Sequence, residues 1–203
     1  MPNNKEGIPK QLEQFPTDGL TLKEDQQLTD LLSKWNGGRI STPVFTELAK
    51  MIPQSIVELV IFRQNNDVLE TLLIPRPKDD IVWPGMLHNP GSAIRNSDFK
   101  NNAQQPEKSL FERLQNSEVK APFASPIFVD LHRGIGQRGS EVAQIYFTEM
   151  LSEPNQEGCQ WCPVDQLAQN PKFIQDQLEH IKLAAEQYKV FISSDKTFRS
   201  NLI

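Results

Sequence analysis

The sequence predicts one α/β or α+β domain with a mixed β-sheet packed between helices. Three observations lead to this prediction: the chain has 203 residues, β-rich runs alternate along it with amphipathic helical segments, and no internal repeat is visible. Three Trp, eleven Phe and several apolar runs supply a core, although the hydrophobic content is only 37%. The sheet-forming part is predicted to span residues 55–203 and to end in a helix.

A polar lead-in and a helical extension are predicted before the sheet. Residues 1–20 are polar with Pro and Gly interruptions, and residues 21–54 form the extension. Thr21 is a candidate N-cap for the first helix, in which Leu22, Leu28, Leu31, Leu32 and Trp35 share one face. Asn36-Gly37-Gly38 ends that helix.

The second helix of the extension is short. It is predicted from the N-cap Thr42 to Met51, with Pro43 in its first turn. Trp35 and Phe45 lie near an apolar stripe of the two helices, which supports a weaker hypothesis that the extension forms a homodimer.

The central part of the chain is rich in β-forming residues. Ile56–Phe62 and Val68–Ile74 are apolar runs joined by the turn Asn65–Asp67, so they predict a hairpin. The chain then leaves the sheet over Pro75–Asp80 and touches it again at Ile81–Trp83.

An amphipathic helix, two strands and a C-terminal helix complete the predicted fold. A polar insert (99–106) precedes the helix Glu107–Glu118, whose apolar side carries Leu110, Phe111 and Leu114. Strands are predicted over Pro126–Leu131 and Glu141–Met150, and the last helix over Leu178–Tyr188.

The stretch from Trp83 to Val119 contains the candidate chemistry. The loop Pro90-Gly91-Ser92 is followed by Asp98 and by the helix with Glu112 and Glu118. Two adjacent acids on a helix, facing a third acid on a glycine-bent loop, can hold Mg²⁺, which prefers carboxylate and water ligands. Such an ion neutralises pyrophosphate oxygens and activates water.

In order and spacing this stretch resembles the Nudix box. The Nudix pattern is Gly, five residues, Glu, seven residues, then Arg-Glu-apolar-any-Glu-Glu-any-Gly-apolar, in which the last Glu pair holds metal and the Arg fixes the helix to the loop. Ser92 stands at the glycine position, Asp98 at the first acid, and Glu112-Arg113-Leu114 on Arg-Glu-apolar. A six-residue insertion falls in 99–106.

In this alignment the box has lost its acid pair. Asn116 and Ser117 fall on the two metal-binding Glu positions, and Val119 falls on the glycine. Moving the helix so that Glu112 takes the second acid position would put Arg113 in the buried apolar position, which Leu114 fits better. The other Pro-Gly pair, in Trp83-Pro84-Gly85, leads to no acid at the required spacing.

The resemblance covers about residues 55–190, and within this range two segments after the box contribute to it. Glu141–Phe147 is similar to the family's long strand after the box. Gly158–Leu167 is similar to a later family segment in which a strand with Trp or Phe leads to Pro-Val-Asp-any-Leu and a short helix. The resemblance implies a Nudix-type α/β/α sandwich with a mixed sheet and an N-terminal helical extension. It also implies hydrolysis of nucleoside diphosphates linked to another group, with Mg²⁺ or Mn²⁺ if the site is active.

The same resemblance implies the site residues. The expected catalytic acids are Asp98, Glu112, Glu118 and Glu141, and the expected metal ligands are Asp98, Glu112 and Glu118. The expected substrate-binding residues are Arg76, Lys78, His88, Arg133 and Arg138. The alternative is a module that has lost turnover and binds a nucleotide or a partner protein, because Asn and Ser are poor replacements for two carboxylates.

Composition argues against other classes of function. A net charge of −5 without a basic cluster argues against a nucleic-acid duplex as partner. No apolar run approaches the roughly 20 residues of a membrane helix, and residues 1–6 lack the apolar core of a secretory signal. These observations predict a soluble, cytoplasmic protein.

Three further motifs are weaker. Gly134–Gly139 matches a dinucleotide-binding glycine pattern by letter, but the β-rich segment after it predicts a loop between strands. Cys159 and Cys162 lack the second ligand pair of a zinc site, so buried or edge thiols are expected. His132 and His180 are expected to be structural, and no nucleophile elbow is present.

Overall fold

The structure is a computed structural model that describes residues 20–35, 41–137 and 139–200. The chain divides at residue 38 into two compact units, and the described element of the first is helix α1 (Leu22–Lys34). The N–H of Glu24 donates to the Thr21 hydroxyl, and the Thr21 N–H donates to the Glu24 carboxylate, which forms a capping box. The predicted helix and its N-cap Thr21 are confirmed. The predicted stop at 36–38 lies outside the described residues.

The described residues of the second unit form a seven-stranded sheet and further helices. Its strands are β1 (Gln54–Asn65), β2 (Val68–Pro75), β3 (Leu87–His88), β4 (Gly91–Ala93), β5 (Ile127–Gly136), β6 (Gly139–Glu149) and β7 (Gln160–Pro163). Its helices are α2 (Thr42–Met51), α3 (Asn96–Asn101), α4 (Pro106–Leu114) and α5 (Leu178–Ser200), and α4 continues into one π-helical turn (Gln115–Val119). None of the described helices is both long and apolar enough to span a membrane.

Strand β1 lies at the centre of the sheet. The strand order is β3-β2-β1-β6-β5, with β4 also paired to β1 and β7 to β2. Gln54–Phe62 runs parallel to Glu141–Glu149 of β6, whereas β2 and β4 are antiparallel to β1. The predicted hairpin is confirmed, and it turns at Asn66 and Asp67, whose φ angles of 46° and 65° suit a type I′ turn.

The core has two halves, one on each face of the sheet. Val57–Phe62 is buried without interruption because both faces are covered. Val60 and Phe62 pack in the cluster that includes Ile181 and Tyr188 of α5. Alternate residues of β1 pack in the second cluster, with Leu110, Phe111 and Leu114 of α4. The predicted α/β sandwich, with a mixed sheet between helices, is confirmed.

Helix α2 belongs to the sheet unit, although the sequence pattern groups it with α1. The division falls at residue 38, before α2 begins. Ala49 of α2 is buried. A Cβ on Gly139, the first residue of β6, would lie 2.0 Å from the Ala49 carbonyl oxygen, so α2 packs tightly against the start of β6. The N-cap is Ser41, one residue before the predicted Thr42.

Three segments differ from their predicted conformations. Ile81–Trp83 forms bends and is no part of the sheet; the chain pairs with β2 again only at Leu87–His88. The predicted insert 99–106 begins inside α3, which places Asp98 on a helix. The predicted helix Glu107–Glu118 keeps α geometry only to Leu114. The π-helical turn Gln115–Val119 then changes the direction in which its side chains point.

Candidate functional site

A buried glutamate lies in the middle of the sheet. Glu58 of β1 is 6% exposed, and its Oε2 accepts hydrogen bonds from the side-chain amides of Asn89 and, at 2.9 Å, of Gln177. Burial raises the pKa of Glu58 to about 8. Glu141 adds to this effect, and the two amides and Arg76 oppose it. Glu58 therefore holds a proton near neutral pH.

The loop of residues 90–92, called the Gly91 loop below, passes directly over Glu58. Gly91 of β4 is paired with Glu58, and a Cβ on Gly91 would lie 2.9 Å from both Glu58 Oε2 and the Val57 carbonyl oxygen. A side chain at this position would force the loop off the strand. The Gly91 backbone on the other side of the loop lowers the pKa of the Glu118 carboxyl, against the effect of its burial. Gly91 therefore lies between two acidic side chains.

Arg113 fastens the end of α4 to this loop. Its Nη1 donates to Ser92 Oγ at 2.8 Å, and its Nη2 donates to the Ala93 carbonyl at 3.2 Å and to Asp98 Oδ2 at 3.0 Å. Asp98 is 3% exposed and also accepts the Arg95 N–H at 2.8 Å. Asp98 is thus the buried counter-charge of Arg113, and the pair holds α3 and β4 against α4.

Glu118 is the acid that the helix end turns towards the loop. It lies in the π-helical turn, and its Oε2 is buried without a hydrogen-bond partner. Burial raises the pKa of Glu118, whereas the guanidinium groups of Arg113, Arg76 and Arg95 lower it. Three arginines are therefore close enough to act on one carboxylate, and guanidinium groups are the side chains best suited to bind phosphate.

Arg76 begins a loop, residues 76–86, that is closed by its own backbone. The Arg76 N–H donates to the Met86 carbonyl at 2.8 Å. Asp80 Oδ2 accepts from Arg76 Nε at 3.0 Å, and Asp80 Oδ1 accepts the N–H groups of Val82 and Trp83, each at 3.0 Å. The Arg76 guanidinium carbon is 5.9 Å from the centroid of the Trp83 ring. Asp80, whose side chain is 7% exposed, thus binds both the Arg76 guanidinium and the Trp83 backbone.

The structure brings several of the predicted site residues together. Asp98 and Glu118 both lie at the Gly91 loop, and the charge of Arg76 lowers the pKa of both Glu118 and Glu58. Glu141 lies on β6 within electrostatic range of Glu58.

The remaining predicted residues lie elsewhere. Glu112 is exposed on α4, Lys78 is exposed in the 76–86 loop, Arg133 is exposed on the edge strand β5, and His88 is buried on β3 opposite Ile74. Arg138 lies outside the described residues.

Glu58, Asn89 and Gln177 were missed from the sequence. The signal for Glu58 was present, since it is a single acid inside the apolar run Ile56–Phe62, and an acid buried in a strand needs polar partners. Nothing in the sequence marks Gln177 as one of those partners, because it lies 119 positions away.

The acids of the site offer few ligands to a metal ion. In the part of the chain that is described, no three His, Cys, Asp or Glu side chains are grouped to hold a metal. Asp98 is paired with Arg113 and Glu112 is exposed, so Glu118 is the expected ligand that keeps a buried, unpartnered oxygen. One carboxylate suits a Mg²⁺ ion whose other ligands are water and substrate phosphate.

The glycine pattern and the cysteine pair form no site. Gly134 and Gly136 lie at the end of β5 and Gly139 begins β6, so the pattern falls where two paired strands connect and not at the start of a helix, although its glycines are on the strands and not in the expected loop. Cys159 packs against the α4 side of the sheet and Cys162 against the α5 side. Burial raises the pKa of both thiols.

Comparison with known proteins gives matches in structure only. No protein-family model matches the chain, and no curated protein matches it significantly. The NUDIX domain of Shewanella oneidensis NrtR complexed with ADP ribose is 18% identical, with a TM-score of 0.53 over 79% of this chain and 97% of that one.

Two further solved structures are similar. A mutT/nudix family protein from Listeria innocua is 14% identical, with a TM-score of 0.53 over 70% of this chain and 98% of that one. A MutT NUDIX hydrolase from Burkholderia pseudomallei is 16% identical, with a TM-score of 0.50 over 65% and 98%. At these identities the likeness concerns the fold.

Proposed function

Because the chain has the Nudix fold, we propose that it binds a nucleoside diphosphate derivative at the Gly91 loop without rapid hydrolysis. The observation that carries this proposal is the charge balance of the site. Arg113 is paired with Asp98, and Arg113, Arg76 and Arg95 all act on Glu118. The ADP ribose complex of a structure with the same fold supports the choice of ligand class.

The contacts of Arg113 support a box register that differs from the sequence alignment. Arg113 makes the helix-to-loop contacts that the pattern assigns to its Arg, so the register moves one residue later. Ser117 and Glu118 then fall on the acid pair, and Lys120 falls on the glycine. Lys120 has φ 56°, the left-handed conformation that glycine favours. This register keeps one acid of the pair, Glu118, in place of none.

The remaining charges also suit an anionic ligand. With a pKa of about 8, Glu58 is largely uncharged at neutral pH, so it does not repel a diphosphate there. Arg76, Arg95 and Arg113 would attract phosphate oxygens, although Asp80 and Asp98 already pair with two of them.

A second candidate function is metal-dependent hydrolysis of the same ligand class. The observation in its favour is the buried, unpartnered Oε2 of Glu118. Mg²⁺ or Mn²⁺ bound there would polarise the phosphate and activate water. Glu118 would hold the ion together with substrate oxygens.

One pair of variants separates the two functions. Binding of ADP ribose is measured by calorimetry without metal, and product formation is followed with Mg²⁺ and with Mn²⁺. We expect binding in the wild type, no metal-dependent product, and tighter binding in Glu118→Gln because a negative charge is removed. Glu112→Gln is the matched control, since Glu112 is exposed on the same helical segment, and it should leave binding unchanged.

The opposite outcomes are equally clear. Turnover that requires metal and is lost in Glu118→Gln, but not in Glu112→Gln, would establish the hydrolase. Failure of the wild type to bind any nucleoside diphosphate derivative would reject both functions. Asp98→Ala is a poor test, because it removes the buried partner of Arg113.

A further inference from the structure

We propose that His132 and His180 form a binding site for one Zn²⁺ ion between strand β5 and helix α5. The site shares no residue with the Gly91 loop, so this inference goes beyond the proposed function and is independent of it. Its ligands are two imidazole nitrogens and water, because in the described part of the chain no third His, Cys, Asp or Glu side chain is grouped with them.

The two imidazole rings already lie side by side. Their centroids are 4.7 Å apart, and their planes are inclined by 64°. Two imidazoles that share a tetrahedral Zn²⁺ ion, with Zn–N bonds of about 2.0–2.1 Å, have ring centroids roughly 5 Å apart. The backbones of β5 and α5 therefore already hold His132 and His180 at the spacing that such a pair requires.

One of the two donor atoms is buried and unpaired. His180 is 3% exposed, and its Nδ1 has no hydrogen-bond partner among the described residues. A buried polar atom without a partner costs free energy, which a bound ion would recover. Burial, with a smaller effect of His132, lowers the pKa of His180 to about 4, and Glu179 opposes this shift. The ring is thus neutral at pH 7, and neutral imidazole is the form that binds metal.

His132 gives the ion access from solvent, and a carboxylate lies beside the pair. His132 is half-buried on β5, the last strand in the sheet order. A Cβ on Gly134 would lie 3.2 Å from His132 Nε2, so a side chain there would displace the ring. Glu179 is exposed, interacts electrostatically with both imidazoles and accepts from Lys182 Nζ at 2.8 Å. Glu179 therefore adds negative charge next to the ion, which favours binding of a cation.

The ion would join two elements that are distant in the sequence. Gln177 lies directly before α5 and donates to Glu58 Oε2 at 2.9 Å, so the start of this helix is also connected to the candidate site. An ion that binds only the folded state raises its stability. We therefore expect Zn²⁺ to raise the thermal unfolding midpoint of the protein.

The test titrates Zn²⁺ into the whole chain with Mg²⁺ in excess, because Mg²⁺ occupies oxygen sites and does not compete for imidazole. We expect calorimetry to show one Zn²⁺ per chain and the unfolding midpoint to rise with it. His132→Phe keeps an aromatic ring beside His180 but removes both nitrogens, so it should retain the fold and lose zinc binding. The double variant Cys159→Ser, Cys162→Ser is the control for thiol binding and should bind Zn²⁺ like the wild type.

NMR of the ¹⁵N-labelled histidine rings locates the bound ion. The chain has three His, so Zn²⁺ should shift the ring signals of His132 and His180 and leave those of His88 unchanged. Undiminished binding in His132→Phe, loss of binding in the double cysteine variant, or a shift confined to His88 overturns the proposal. A wild type without saturable Zn²⁺ binding also overturns it, whatever its affinity for ADP ribose, which separates this failure from failure of the proposed function.

Discussion

Glu58 and Gly91 face each other across the antiparallel pairing of β1 and β4, and a Cβ on Gly91 would lie 2.9 Å from Glu58 Oε2. The backbone of the candidate site thus rests on the carboxyl group of a buried acid. The protonation of Glu58 is therefore coupled to the stability of the strand pair that forms the site.

Glu58 is expected to make stability fall as pH rises. Its folded pKa of about 8 lies above the ordinary value of 4.5, so the folded state binds more protons than the unfolded state between these values. The stabilisation is complete below pH 4.5 and is lost as pH rises towards 8, with a slope of up to about 1.4 kcal/mol per pH unit. Urea unfolding from pH 5 to 9 should show a flatter profile in Glu58→Gln. Glu112→Gln, at an exposed position, is the control and should keep the pH profile of the wild type. If Glu58→Gln also keeps that profile, the raised pKa of Glu58 is contradicted.

Loss of Arg113 should destabilise the fold strongly. Arg113→Met leaves Asp98, whose side chain is 4% exposed, without its counter-charge, and the expected loss of unfolding free energy is about 3 kcal/mol. Arg133→Met on the exposed edge strand is the control and should change stability by less than about 0.5 kcal/mol. Adding Asp98→Asn to Arg113→Met should recover part of the loss. Equal unfolding midpoints for the two single variants would refute the role of the Arg113–Asp98 pair in stability.

Only part of this site could be predicted from the sequence. The strand Ile56–Phe62 was predictable because burial on both faces demands an unbroken apolar run, and α4 because its apolar side recurs with helical spacing. The contacts of Arg113 with Ser92 and Asp98, on which the proposed box register rests, were not predictable, because they form only when the loop and α4 come together in the fold. The pairing of Glu58 with Gln177 is a non-local contact that only the assembled fold creates.

Two glycines with positive φ should respond differently to alanine. Gly139 has φ +127°, and its Cβ would lie 2.0 Å from the Ala49 carbonyl oxygen, so Gly139→Ala should cost about 3 kcal/mol. Gly85 has φ +69° but open space around it, so Gly85→Ala should cost only about 1 kcal/mol. Chemical denaturation measures both. Similar losses in the two variants would show that α2 does not pack on the start of β6 as described.

Lys120→Gly should stabilise the protein. Lys120 adopts φ 56° after the π-helical turn, and glycine relieves the strain of that conformation, by about 1 kcal/mol. Lys108→Gly within α4 is the opposite control, since it should lower the unfolding free energy by about 1 kcal/mol. A thermal unfolding series compares them. If both variants lose stability alike, Lys120 does not hold the left-handed position.

Cys159 and Cys162 should not form a disulfide despite their spacing. They pack on opposite faces of the sheet, and burial raises the pKa of both thiols, which lowers the thiolate fraction at neutral pH. Mass spectrometry after treatment of the native protein with a thiol oxidant should find both thiols intact. Rapid loss of two hydrogens from the native chain would contradict this packing.

The parallel pairing of β1 with β6 also shapes how the chain can fold. Gln54 pairs with Glu141, 87 positions later, and the whole Gly91 loop with both its helices lies inside the segment that this pairing closes. Long-range closure of this kind is slow, because the entropy of the loop is lost before the contacts form. Glu58 also bonds with Gln177, 119 positions away, so we expect the candidate site to be completed late in refolding, and recovery of the proposed ligand binding to report on the last steps of the kinetic pathway.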